Sequence, residues 1–172
     1  MTTSDEGRVF HDDETIGAAR RWLREQARGH GAPCPVCQQM TKIYHRGLNV
    51  SMAHDLIRAW RRVGRADFHA PTVLDRGVGG GDFAKLRYWG VIEELDAARA
   101  DGGRAGWWRI TDVGEKWVRG TVGLPRYAYL FDGRLLRFDG DREQEWTVRD
   151  ALGDRFDYDQ LMSDPGNTDP PI

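Results

Sequence analysis

Residues 86–118, LRYWGVIEELDAARADGGRAGWWRITDVGEKWV, decide the fold. An apolar helix end runs into Gly90, and strands follow at 91–95 and 107–110, with Gly102, Gly103 and Gly106 at the turn between them. Thr111 or Asp112 then caps a new helix reaching Arg119, and Glu115 is placed to complete a capping box if Asp112 is the cap. Upstream, Asp82 begins FAKLRYW, a helix whose Phe83 and Leu86 face the core. Pro71 opens the short helix PTVLDR, since proline is tolerated in the first helical turn. Ser51 caps MAHDLIRAWRRVG, where Met52, Leu56, Trp60 and Val63 repeat at helical spacing before Gly64 ends the run. The pattern predicts helix, helix, helix, strand pair, helix over residues 50–119.

Outward from this segment the signals are shorter. Asp12 or Asp13 caps a helix over about 14–28, where Ile16, Ala19, Leu23 and Ala27 share a face and Gly29-His30-Gly31 stops the run. APCPVCQQM is a tight turn carrying both cysteines, and TKIYHRGL alternates as a short strand, with a helix as its alternative. YAYLFDGRLLRF flanks Asp132-Gly133 with β-prone residues and reads as a hairpin closed by a type I′ turn. WTVRDALGDRF is a short helix started by Thr147, and SDPGNTDPPI is a disordered end. The organisation expected is an N-terminal helix with its C-x-x-C turn over 1–41, a central domain over 42–126, a hairpin and helix extension over 127–162 and a tail over 163–172. The fold class is α+β.

The chain of 172 residues is 40% hydrophobic and 30% charged, as an ordinary globular domain is. No apolar run is long enough to span a membrane, and MTTSDEGRVF has neither the basic nor the apolar region of a signal peptide. Two neighbouring cysteines offer no disulfide framework, which points to the cytoplasm. The formal charge of −2 conceals a division. Residues 42–126 carry 15 Lys and Arg against 10 Asp and Glu, net +5; residues 1–41 carry 5 against 6, net −1; residues 127–172 carry 5 against 11, net −6. A basic middle with an acidic appendage suits a nucleic-acid-binding core, and a mixed solvated surface is the plainer reading.

The phrases L-x-x-x-G-V-I-E and W-R-I-T-x-x-G resemble those of winged-helix regulators of the MarR and PadR types. The resemblance implies a winged helix-turn-helix in which FAKLRYW is the recognition helix and the strand pair is the wing, bound to double-stranded DNA. Where MarR-type helices carry groove-entering side chains, this chain has Gly79, Gly80 and Gly81. Contact with DNA then falls to Lys85, Arg87 and Tyr88, and to the wing residues Arg99, Arg104 and Arg109. Arg58, Arg61, Arg62 and Arg65 line the first helix as phosphate contacts or face water. Across 32–162 the chain is also similar to a group of small bacteriophage proteins, through its C-P-x-C turn, K-I-Y-x-R, D-F-A-K-L-R-Y-W-G, the Y-x-Y-L-F-D-G-R hairpin and the closing D-A-L-G-x-x-F-x-Y-x-x-L-M. That similarity implies a phage origin and the host cytoplasm.

Cys34 and Cys37 have the spacing of a zinc knuckle. A closed site needs four ligands, and no second C-x-x-C occurs; of His30, His45 and His54, His45 is best placed to join the pair. The alternative is a turn with two reduced thiols. Gly77-Val78-Gly79-Gly80-Gly81 lacks the G-K-[ST] of a phosphate loop. The only serines are Ser4, Ser51 and Ser163, none in G-x-S-x-G, and no H-E-x-x-H occurs, so no enzyme is expected. Trp60, Trp107 and Trp117 fall at core positions, and Trp89 and Trp108 are free to line a ligand or partner surface. Two functions follow: a DNA-binding regulator, or an interaction module that binds a host protein without nucleic acid.

Overall fold

A computed structural model describes residues 11, 13–74, 82–95, 106–139 and 145–163. It is an α+β fold with antiparallel sheets. In chain order the elements are α1 (Ile16–Arg28), β1 (Ala32–Pro33), β2 (Met40–Thr41), β3 (Tyr44–Gly47), α2 (Val50–Val63), β4 (Phe68–His69), α3 (Ala70–Val73), a 3-10 helix (Phe83–Trp89), β5 (Ile92–Glu94), β6 (Trp107–Ile110), α4 (Asp112–Val118), β7 (Leu124–Pro125), β8 (Tyr127–Phe131), β9 (Arg134–Phe138), β10 (Glu145–Trp146), α5 (Val148–Leu152), a second 3-10 turn (Gly153–Arg155) and α6 (Tyr158–Ser163). The glycines expected at 79–81, the wing arginines 99 and 104 and the tail from 164 lie outside the described residues. Among the described residues no helix is long and apolar enough to cross a membrane.

The chain forms two compact units, residues 1–45 with 129–136, and residues 46–128 with 137–172. In the first, Thr15 caps α1, its Oγ1 accepting from the Ala18 N–H at 3.2 Å, in place of the aspartates expected there. β1 and β2 pair with Ala32 opposite Thr41 and Pro33 opposite Met40, flanking the cysteine turn. The hairpin of β8 and β9 turns at Asp132-Gly133 with φ of 49° and 66°, the pair of positive angles that a type I′ turn requires.

The second unit contains most of the large buried side chains. α2 presents Met52, Ala53, Leu56, Ile57 and Ala59 to the interior. Its cap is Asn49, whose Oδ1 accepts from the Met52 N–H at 3.0 Å, and Ser51 lies inside the first turn. β4, β6 and β5 form a three-stranded sheet in the order β4-β6-β5, with Phe68 opposite Trp108 and Ile92 opposite Ile110. This sheet, the 3-10 helix and α4 enclose Phe83, Leu86, Trp89, Val91, Ile110 and Trp117, all buried. Trp89 and Trp108 are therefore core residues, not lining of an open surface, while Trp60 and Trp107 are half-buried. The Trp89 indole donates to the Pro125 carbonyl at 2.7 Å, and that of Trp117 to the Trp146 carbonyl at 2.9 Å, so both polar edges are satisfied inside the core. Thr147 and Asp150 cap α5 reciprocally.

Candidate nucleic-acid interface

The FAKLRYW segment is helical, as its boundaries imply, but it winds as a 3-10 helix and not as an α-helix. Phe83, Leu86 and Trp89 recur every third residue, and in a 3-10 helix residues three apart fall on one line. That line is the buried one. Gly90 ends the helix in the left-handed region at φ 69°, and its N–H donates to the Arg87 carbonyl. The outer positions go to Lys85, Arg87 and Tyr88.

Each cation of this face has a carboxylate beside it. Lys85 Nζ donates to Asp82 Oδ1, and Asn49 Nδ2 donates to Asp82 Oδ2 at 3.4 Å. The Lys85 hydrogen bond, helped by Asn49 and by the charge of Arg46, holds the Asp82 carboxyl below its ordinary range. Arg87 reaches Glu94 Oε2 at 3.4 Å, donates to the Tyr88 hydroxyl at 3.3 Å and lies over the Tyr88 ring at 5.1 Å. Arg109 donates through Nε to Asp67 at 2.7 Å and through NH1 to Glu93 at 3.3 Å, contacts that raise its pKa further. The register explains the last pair, since Glu93 stands directly opposite Arg109 across β5 and β6.

Over 82–95 and 106–119, five acidic side chains (Asp82, Glu93, Glu94, Asp112, Glu115) match five basic ones (Lys85, Arg87, Arg109, Lys116, Arg119). The net charge of +5 over 42–126 therefore lies off this face: α2, with three arginines against Asp55, carries two of it, and Lys42, Arg46 and Arg126 carry the other three. On α2, Arg58 and Arg62 turn to the end of α3, donating to the carbonyls of Leu74 and Val73. Arg65 pairs with Asp112. These arginines cap and clamp, roles that helical spacing by itself could not separate from phosphate contact.

The acids of this face are what sequence reasoning missed. Asp67, Asp82, Glu93 and Glu94 were all visible in the chain, and the signal was the cross-strand register of Glu93 and Arg109. The structure brings Lys85, Arg87 and Tyr88 together on one helix and sets Arg109 on the neighbouring sheet. Arg104 lies outside the described residues.

At the cysteine turn, Cys34 is half-buried and Cys37 exposed, both as free thiols. Among the described residues no three His, Cys, Asp or Glu side chains gather as a metal site would require. The His45 ring packs instead against Tyr129, centroids 4.7 Å apart. No protein-family model, curated protein or solved structure matches the chain.

Proposed function

We propose that residues 46–128 are a winged-helix domain that binds double-stranded DNA through phosphate contacts, in a phage-encoded regulator acting in the host cytoplasm. The observation that carries this reading is topological. Helix, strand, helix, helix, strand, strand, helix run in that order from α2 to α4, and the first strand pairs with the third, giving the sheet order β4-β6-β5. This order supports the winged-helix reading, in which β5 and β6 would be the wing and Phe83–Trp89 the helix offered to the groove. The neighbouring carboxylates do not bar phosphate. Exposed ion pairs contribute only about 0–1 kcal/mol, so a phosphate can displace them at small cost. Ahead of this helix the sequence has Gly79, Gly80 and Gly81, which offer no side chain to a base edge, so binding is electrostatic and nearly blind to sequence.

Anisotropy of a labelled duplex, titrated with protein at low and at moderate salt, tests this. Engagement of about four phosphates, by Lys85, Arg87, Arg104 and Arg109, gives a slope of log affinity against log salt of roughly −3 to −4. A second reading, a module that binds a host protein, is favoured by the charge balance of the same face. Absence of duplex binding at low salt would overturn the DNA reading in its favour.

A further inference from the structure

The two cysteines lie on a turn built to bring them together. β1 and β2 run antiparallel up to Pro33 and Met40, and the Cys34 N–H donates to the Gln39 carbonyl at 2.8 Å, continuing the ladder by one step. Inside that clamp the Gln38 N–H donates to the Cys34 carbonyl at 2.9 Å, closing a single turn of the α-helical type over 34–38. Gln38 then leaves in the left-handed region at φ 60°, which returns the chain to β2. Residues three apart on such a turn have Cα atoms about 5 Å apart. A disulfide needs about 4.4–6.8 Å. Cys37 is exposed and Cys34 half-buried, so a small reagent can reach the pair without unfolding the hairpin.

We infer that Cys34 and Cys37 form a reversible dithiol–disulfide couple that exchanges with small-molecule disulfides of the glutathione type. The direction of exchange follows from the backbone. The N–H groups of Cys37 and Val36 point at the Cys34 sulfur and lower its pKa, so Cys34 holds the thiolate at neutral pH more readily than an ordinary thiol. The Cys34 thiolate attacks one sulfur of the small disulfide, forming a mixed disulfide and expelling one thiolate. Cys37 then gives its proton to water and attacks the Cys34 sulfur, which breaks the mixed disulfide and expels the second thiolate. Two protein thiols are oxidised to one disulfide, and one small disulfide is reduced to two thiols. In the reverse direction the stabilised Cys34 thiolate is the better leaving group, so an attacking thiol enters at Cys37.

Reduced, chelator-treated full-length protein is incubated with oxidised glutathione and its intact mass is read. The expected product is lighter by two hydrogen atoms, carries no glutathione, has no titratable thiol and returns to the starting mass with dithiothreitol. Cys37→Ser should stop at the mixed disulfide, and Cys34→Ser should react severalfold more slowly at pH 7. A wild-type protein that accumulates stable glutathione adducts without losing two hydrogens overturns the inference, because the thiols then cannot reach one another. So does protein isolated with one zinc per chain whose thiols resist oxidised glutathione, which makes the turn a metal knuckle completed by other ligands.

Discussion

Gly114 shows how one residue joins two elements. It lies inside α4, where glycine costs about 1 kcal/mol against alanine, so its presence in W-R-I-T-x-x-G calls for a reason. A Cβ there would collide with the Val91 carbonyl and stand 2.9 Å from Ile110 Cγ2. That Val91 carbonyl accepts from the Thr111 N–H at 3.1 Å, while Thr111 Oγ1 donates to the Gly90 carbonyl at 2.6 Å and accepts from the Gly114 N–H at 3.1 Å. Gly114→Ala must therefore push backbone against backbone. It should cost about 3 kcal/mol, the upper end for overpacking, read as a lower urea midpoint at unchanged slope. The function of the face is also tested residue by residue. Arg87→Ala should weaken binding to all duplexes alike and flatten the salt slope by about 1. Glu94→Gln, which frees Arg87 from an exposed pair, should strengthen it roughly two- to fivefold. If neither change moves duplex affinity, Arg87 is no phosphate contact. The motif glycine was legible as a phrase. Its cause was not, because the collision it avoids is with a residue 23 positions earlier.

Elements were legible to the extent that their signals were local. The helix α2 ends at Gly64 as its spacing predicts, and Thr147 starts α5. The strict three-residue recurrence of Phe83, Leu86 and Trp89 was equally visible, and it is a 3-10 signature in a segment too short for the α-helical period to show itself. Strands β4, β7 and β10 have two residues each, below the length at which alternation can be seen, and their pairing partners lie far along the chain. The cap of α5 makes a quantitative prediction. Asp150 Oδ2 accepts from the Thr147 hydroxyl at 2.6 Å and from the Thr147 N–H at 2.8 Å, and these bonds lower its pKa below the ordinary 3.8. A carboxylate whose pKa is lower folded than unfolded stabilises above the unfolded value and loses that contribution as pH falls through the folded one. At neutral pH Asp150→Asn should cost about 0.5–1 kcal/mol, since solvent screens so exposed a site. The gap between variant and wild type should close as pH falls below about 4, the range of an unfolded aspartate. A gap that stays constant from pH 7 to pH 3 would show that charge plays no part in this cap.

At the scale of the whole molecule, the compact units are discontinuous in the chain, and a reading of composition along the sequence has no signal for that. Residues 129–136 belong with the first 45, while their flanks belong with the larger unit. The two units differ in what they bury. Among the described residues, the buried apolar side chains of the first are Ala19, Ala27, Ala32 and Leu130. Those of the second include Met52, Leu56, Ile57, Leu86, Ile92, Ile110 and Trp117. Full burial of a large aliphatic or aromatic side chain contributes about 1.5–3 kcal/mol, and an alanine much less. Opening the first unit therefore exposes less fully buried apolar surface than opening the second, Trp22, Leu23 and Ile43 being only half-buried, and it should open at lower free energy than the second. Native-state hydrogen exchange should resolve this. The amides of α1, and the Ile43 N–H that donates to the Ala27 carbonyl at 3.1 Å, should open with free energies at least about 2 kcal/mol below those of Ile57 and Ile110. The slowest amides of the second unit should follow global unfolding in urea, and those of α1 should exchange with little dependence on denaturant. Equal protection across both units would mean that α1 is held by interactions worth far more than its buried alanines, and that the chain unfolds as one cooperative body.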